Sequence, residues 1–285
     1  MLIGGNGNDL LYAGAGTDSL FGDAAADRLF GGAGRDRLSG QDGDDTLDGG
    51  ADNDTLFGGN GNDRLNDTLG NNFLAGSDGH DLLIAGGGID TLAGGDGNDR
   101  LFGGGGIDRL LGGNDSDSLF GGDGADILHG GETYERDILV GGNGDDRLVG
   151  GGGHDVLFGG DGSDLLSGDF GDDTLHGGAG ADRFGFVVNA TSAAGRNFVA
   201  DFDTTLDYVW PSQADNPLDF ADFDTNGSGR IDQSDSFSSL QSWTYKGETK
   251  LSLVLDGGAA LGFAAGQETL VLFGIKSLRP VDVLS

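Results

Sequence analysis

Gly94-Gly95-Asp96-Gly97-Asn98-Asp99-Arg100-Leu101-Phe102 reads Gly-Gly-x-Gly-x-Asp-x-Leu-x, and this nine-residue phrase recurs on both sides of it. Clean copies occupy 103–111, 121–129, 141–149 and 159–167. Kept in register from Gly4 to Gly185, the pattern makes twenty copies, one of them eleven residues long. Self-similarity at a short fixed period marks a solenoid, in which each unit buries its apolar residue only by stacking on the next.

Position eight of the phrase is Leu in nineteen copies, from Leu11 to Leu175, and Phe184 in the last. One apolar residue flanked by outward neighbours is the alternation of a minimal strand. Glycines at positions one, two and four suit a tight loop, because they adopt positive φ at little cost. The expected unit is therefore a six-residue loop and a three-residue strand.

Position six is Asp in nineteen copies: Asp9, Asp18, Asp27, Asp36, Asp45, Asp54, Asp63, Asp81, Asp90, Asp99, Asp108, Asp117, Asp126, Asp137, Asp146, Asp155, Asp164, Asp173 and Asp182. Stacked copies set carboxylate over carboxylate every ~4.8 Å. At an effective dielectric near 20 each such pair repels by roughly 3 kcal/mol. A thin leucine ladder cannot hold that against the chain's conformational entropy. Something cationic must sit between the loops, and the repeats contain no lysine. A hard divalent ion taking six or more oxygens fits carboxylates joined by glycine-freed carbonyls.

The whole chain agrees. It has 285 residues with 61 glycines, 48 acidic and 15 basic residues, and a net charge of −33. Such an acidic chain excludes nucleic acid as a partner and anionic membrane surfaces as a target. No apolar run reaches the ~18 residues of a membrane span. There is no cysteine, hence no disulfide or thiolate chemistry. Neutralising the net charge takes about 17 divalent ions.

This glycine- and aspartate-rich phrase resembles the RTX family of bacterial secreted proteins, over about two-thirds of the chain. The resemblance implies an all-β, right-handed parallel β-roll with two copies per turn, here about ten turns and a rod of roughly 45–50 Å. It implies multiple Ca²⁺ ions as cofactors, export through type I secretion machinery and an extracellular location. Met1-Leu2-Ile3 runs straight into Gly4, leaving no room for a cleavable signal, and Leu2 and Ile3 fall in register as positions eight and nine of an earlier copy.

The pattern has defects. Ala25, Asp52 and Asp115 replace the fourth glycine. Copy 67–75 lacks the glycine pair and carries Asn72 at position six. Glu132 to Arg136 lengthens one loop. Missing or irregular metal is expected near the last two. Position nine of the odd copies carries Tyr12, Phe30, Ile84, Phe102, Phe120, Val140 and Phe158, an apolar stripe expected on one sheet face. Either it packs on a partner, a second copy or a domain not present, or it supports the strands as a ladder. Seven arginines at position seven, Arg28, Arg100 and Arg109 among them, are expected to partner surface acids.

The period stops at Phe186, dividing the chain into a repeat block (1–185) and a capping region (186–285). Strand-like runs at 184–188, 198–202, 251–255 and 269–273 suit an antiparallel cap. The Phe198 to Asp203 segment, together with Asp207-Tyr208-Val209, resembles the segment directly after the repeats in secreted RTX proteases, and Asp201 and Asp203 are candidates for a further ion. Residues 224–235 fit an EF-hand loop. Asp224, Asn226, Ser228, Asp232 and Asp235 stand at its side-chain ligand positions and Arg230 at its carbonyl position, with Gly229 at the sharp turn and Ile231 at position eight. Asp235, where that motif usually has Glu, weakens the site. A short leading helix is expected over 217–223, and a trailing one from Phe237, Leu240 and Trp243. The final stretch from Glu268 to Ser285 is similar to RTX C-termini, which carry an uncleaved secretion signal.

No His-Glu-x-x-His and no Gly-x-Ser-x-Gly elbow is present, and the glycine-rich loops lack the Lys-Ser/Thr of a phosphate-binding loop, so an enzyme is not expected. Three readings fit: a calcium-binding β-roll that folds outside the cell, the tail of a secreted hydrolase or epimerase, and an adhesin or surface-layer segment.

Overall fold

The computed structural model describes residues 1–187, 196–201, 207–213, 216–217, 239–245, 248–255 and 268–272. Within these, every regular element is a strand. The chain alternates between two sheets, one of 13 strands and one of 14, and within the repeats each strand pairs in parallel with the strand two further on. Leu83 aligns with Leu101 and Leu101 with Leu119, a step of 18 residues, or two copies, per turn. The repeat block is thus an all-β parallel solenoid of about ten turns.

The strands are twice as long as the expected three residues. Arg28–Ala33 and Arg109–Asn114 are representative, running from position seven of one copy to position three of the next. Only positions four to six remain for the turn. Glycines at positions two and four take positive φ, +124° at Gly95 and +118° at Gly97. Ala25, Asp52 and Asp115 keep that geometry at 83°, 79° and 72°, so these substitutions strain the turn without abolishing it.

Position one, glycine in most copies, is kept small for a different reason from the positive φ expected there. Gly94 has no positive φ, but a Cβ on it would lie 2.2 Å from Asp99 Oδ2 and 2.6 Å from the Gly112 carbonyl oxygen. Position one faces the interior, and it must be small to leave room for the aspartate.

The core is one leucine per copy in two facing columns. From Leu20 to Leu175 each is 0% exposed, as is Phe184, and Val199 extends one column past the repeats. Full burial of each such side chain contributes about 1.5–3 kcal/mol. The insertion at 132–136 does not shift the register, since Ile127 aligns with Arg147 and Leu128 with Leu148.

The odd-copy stripe lies on the outer face of one sheet. Tyr12 stacks on Phe30 at 4.7 Å, Phe102 on Phe120 at 4.8 Å and Phe158 on His176 at 4.6 Å between ring centroids. Asp48 and Asn66 interrupt it in register. Two of the position-seven arginines use their charge over rings: Arg37 lies above Phe57 and Arg100 above Phe102.

Beyond the repeats, Arg196–Val199 and Tyr208–Gln213 first continue the two sheets in parallel. Antiparallel pairing then begins: Glu268–Leu272 joins Arg196–Val199 in parallel and pairs antiparallel with Glu248–Leu255, which pairs with Ser239–Tyr245. The expected trailing helix is corrected here, because Leu240 and Trp243 belong to the strand Ser239–Tyr245. Its Trp-Thr-Tyr ending favours a pleated strand, and a seven-residue antiparallel register outweighs the helical spacing of three apolar residues. Most of the expected leading helix lies outside the described residues, except Pro217, which falls in the short strand Asn216–Pro217.

Candidate metal centre

Each turn delivers its position-six aspartate inward rather than to solvent. From Asp27 to Asp182 these residues are buried, Asp99 being only 1% exposed, whereas Asp9 and Asp18 in the first turn are partly open. The sharp turn at positions four and five points the carboxyl under the loop, and the bare glycine at position one receives it.

The two oxygens of each carboxyl have different fates. Oδ1 accepts a hydrogen bond from the backbone N–H of the position-six residue one turn earlier: Asp81 N–H donates to Asp99 at 2.8 Å and Asp99 N–H to Asp117 at 2.8 Å. The same bond recurs along two columns. One starts from Asp9 donating to Asp27, the other from Asp18 donating to Asp36. It crosses the insertion unbroken, with Asp117 N–H donating to Asp137 and Asp126 N–H to Asp146, both at 2.8 Å.

Oδ2 is left over. In seventeen of the nineteen position-six aspartates it is buried with no hydrogen-bond partner. It faces another acceptor. The point where a Gly94 Cβ would sit is 2.2 Å from Asp99 Oδ2 and 2.6 Å from the Gly112 oxygen, so these two oxygens are at most 4.8 Å apart. An interior row of carboxylate oxygens without donors, each beside a backbone carbonyl, is costly unless a cation or protons fill it.

The electrostatics say the same. Burial, only partly offset by the amide bond to the preceding aspartate, pushes Asp117 and Asp155 up to about 8. Burial likewise pushes Asp63, Asp99 and Asp146 to about 7, with neighbouring aspartates adding to it. Asp45, Asp81, Asp90, Asp126, Asp137, Asp164, Asp173 and Asp182 rise to about 6, with burial again the largest cause. The donor set is oxygen only, carboxylate plus backbone carbonyl, which is the chemistry of a hard divalent cation. Calcium fits these residues.

The family model of the RTX calcium-binding nonapeptide repeat matches the chain in eight stretches, among them 1–29, 57–92, 75–110 and 158–184, which together cover residues 1–184. The chain belongs to the RTX family. No curated protein matches it. RTX nonapeptide repeats bind calcium, and their turns account for the buried aspartates. The matched family is a structural calcium-binding repeat and not a catalytic one, and it marks the repeat domain of a secreted protein in general terms.

Several residues that complete the RTX columns do not announce themselves in the repeat pattern. Asn197 Oδ1 accepts the Asp173 N–H at 3.1 Å and Asp207 Oδ1 the Asp182 N–H at 3.0 Å, extending each column past the last copy. Their signal was present: Asn197-Phe198-Val199 and Asp207-Tyr208-Val209 repeat the order of positions six to eight without the glycines. Asp201 accepts from Gly177 N–H at 2.9 Å and Gly178 N–H at 3.0 Å, capping the backbone of the final copy. Asp203 and the EF-hand-like residues Asp224, Asn226, Ser228, Arg230, Asp232 and Asp235 lie outside the described residues. Polar ladders at position five were also missed: Asn62 N–H donates to Asp44, His80 N–H to Asn62, and Asn98 N–H to His80 Nδ1.

Proposed function

We propose that the repeat block, residues 1–185, is a calcium-gated structural module of a secreted protein, with the position-six aspartates as its ligands. The observation that carries this reading is the double column of buried, donorless Oδ2 atoms. Without cations, like charges stand in two interior rows, and the one-leucine-per-copy core is too thin to offset them. The chain then stays unfolded. Calcium that binds the folded state and not the unfolded one shifts the balance by mass action, so binding and folding become one event. A low-calcium cytosol would keep the chain threadable for type I export, and millimolar calcium outside would fold it. The strands Arg196–Val199 and Tyr208–Gln213 prolong the two sheets beyond the repeats, and a candidate ion loop at 224–235 would add to the calcium count.

Far-UV circular dichroism of the full chain tests this reading. The expected result is a disordered spectrum in EDTA at neutral pH and a β-rich one once calcium reaches about 10⁻⁴–10⁻³ M. A β-rich spectrum in EDTA would overturn the coupling. The outer stripe is proposed as a contact face, supported by Tyr12 at 63% exposed and Phe158 at 38%. Light scattering in calcium that gives a monomer, unchanged by Phe102→Ser with Phe120→Ser, would leave the stacked rings only a strand-supporting role.

A further inference from the structure

The copy at 67–75 breaks the pattern twice. Position six is Asn72, which has no charge to give. Position one, glycine or alanine in the other nineteen copies, is Asp67. By the repeat rule alone this is the weakest layer of the roll, and a gap in the ion row is expected there.

The two departures compensate each other in space. Asn72 keeps the hydrogen-bond column intact: its Oδ1 accepts the Asp54 N–H at 2.9 Å, and its own N–H donates to Asp90 Oδ1 at 2.6 Å. Its Nδ2 stands where another copy has the spare carboxylate oxygen, and it donates to the Asp67 carbonyl at 3.3 Å. Asn72 is therefore satisfied without an ion. The Asp67 side chain, by contrast, is 0% exposed and neither of its oxygens has a hydrogen-bond partner. It points at Asp54, itself 2% exposed with Oδ2 unpartnered. A Cβ on Gly49 would sit 2.2 Å from Asp67 Oδ2 and 2.7 Å from Asp54 Oδ2, so the two oxygens are at most 4.9 Å apart. Elsewhere that place is taken by a backbone carbonyl, as with the Gly112 oxygen beside Asp99.

We infer that Asp54 and Asp67 jointly hold a divalent cation inside the roll, Asp67 supplying from position one the charge that Asn72 lacks at position six. Two donorless carboxylate oxygens, Asp67 Oδ2 and Asp54 Oδ2, meet beside Gly49 in a buried spot, and both are hard donors. Two carboxylates a few ångströms apart in a dry interior cannot both stay ionised without a cation between them. The competing arrangement is a single proton shared by the pair, with no ion. This inference rests on the calcium reading of the roll and concerns one layer of it.

Counting ions in the full chain separates the possibilities. Native mass spectrometry at saturating calcium, backed by calorimetric stoichiometry at pH 7.5, would compare the wild type with Asp67→Gly, Asp67→Asn and the swap Asp67→Gly/Asn72→Asp. The first restores the glycine of the repeat, the second keeps the shape of Asp67, and the swap restores both positions of the pattern. Circular dichroism in calcium checks that each is folded. The expected result is one ion fewer in both single variants and recovery of that ion in the swap. An unchanged count in the folded single variants would overturn the inference in favour of the shared proton. A wild type that binds no calcium would overturn the calcium reading itself, which is a different and recognisable outcome. Should Asp67→Gly fail to fold, Asp67→Asn and the swap carry the same two opposed predictions.

Discussion

Two sets of columns run the length of the roll, and they hold it in opposite ways. The leucines of position eight are buried against one another and need nothing further. From Asp27 to Asp182 the aspartates of position six are buried almost as completely, yet Oδ2 of every one but Asp137 has no hydrogen-bond partner. The first set stabilises the rod under any condition in which water is the solvent. On the proposed calcium-gated reading, the second stabilises it only when cations are present and opposes it when they are not. Two residue types in one nonapeptide, two positions apart, would then give a fold whose existence depends on its surroundings.

That contrast can be broken one residue at a time. Leu101→Ala removes a fully buried side chain and should lower stability in calcium by about 2–5 kcal/mol, read from urea denaturation. It should also reduce any residual structure under chelation. Asp99→Asn should reverse sign between the two conditions. In calcium it costs about 1–3 kcal/mol, because a charged ligand is lost from a buried site. In EDTA it should raise residual β-structure, because one buried charge is gone. A variant that is destabilising in both states would remove the distinction between the columns.

Acidity should sharpen the same contrast. Thirteen position-six carboxyls, Asp45, Asp63, Asp117 and Asp155 among them, are raised in the folded state from an ordinary value of 3.8 to between about 6 and about 8. Folding without metal therefore takes up protons, so protonation favours the metal-free fold. That contribution is fully present below about pH 4 and is lost as pH rises from there through about 8. Chelated protein titrated from pH 8 to pH 4 should gain β-structure, monitored by circular dichroism. In calcium the trend should reverse over the same range as protons displace the ions. The smallest effect is expected at a turn: Ala25 holds φ at 83°, so Ala25→Gly should stabilise the calcium-bound rod by about 1 kcal/mol, measurable as a shift in the urea midpoint.

Much of this was legible in the chain because the repeat averages out local noise. The period fixed which residues stack, and it marked Leu at position eight as core and Asp at position six as the recurring acid of each turn. What periodicity could not carry was direction. Nothing in Gly-Gly-x-Gly-x-Asp says that Asp99 turns inward, or that Gly94 must lack a side chain to receive it, since both depend on the neighbouring turn. The amide bond to Oδ1 likewise joins residues 18 apart and is invisible within one copy. Asp67 looked like damage because it was judged against its own position, and not against Asn72 and Asp54, which surround it in space. Leu240 and Trp243 misled for the opposite reason, since helical spacing among three residues is weak beside a long antiparallel partner.

The central claim is that cations lie beside the unpartnered Oδ2 atoms between successive turns. A crystal structure of the chain grown in saturating calcium, with anomalous scattering used to locate the ions, measures this directly. The account predicts calcium along both columns, each ion touching a position-six carboxylate and the backbone of the adjoining turn. A folded rod with those columns empty, its calcium found only elsewhere, would contradict it.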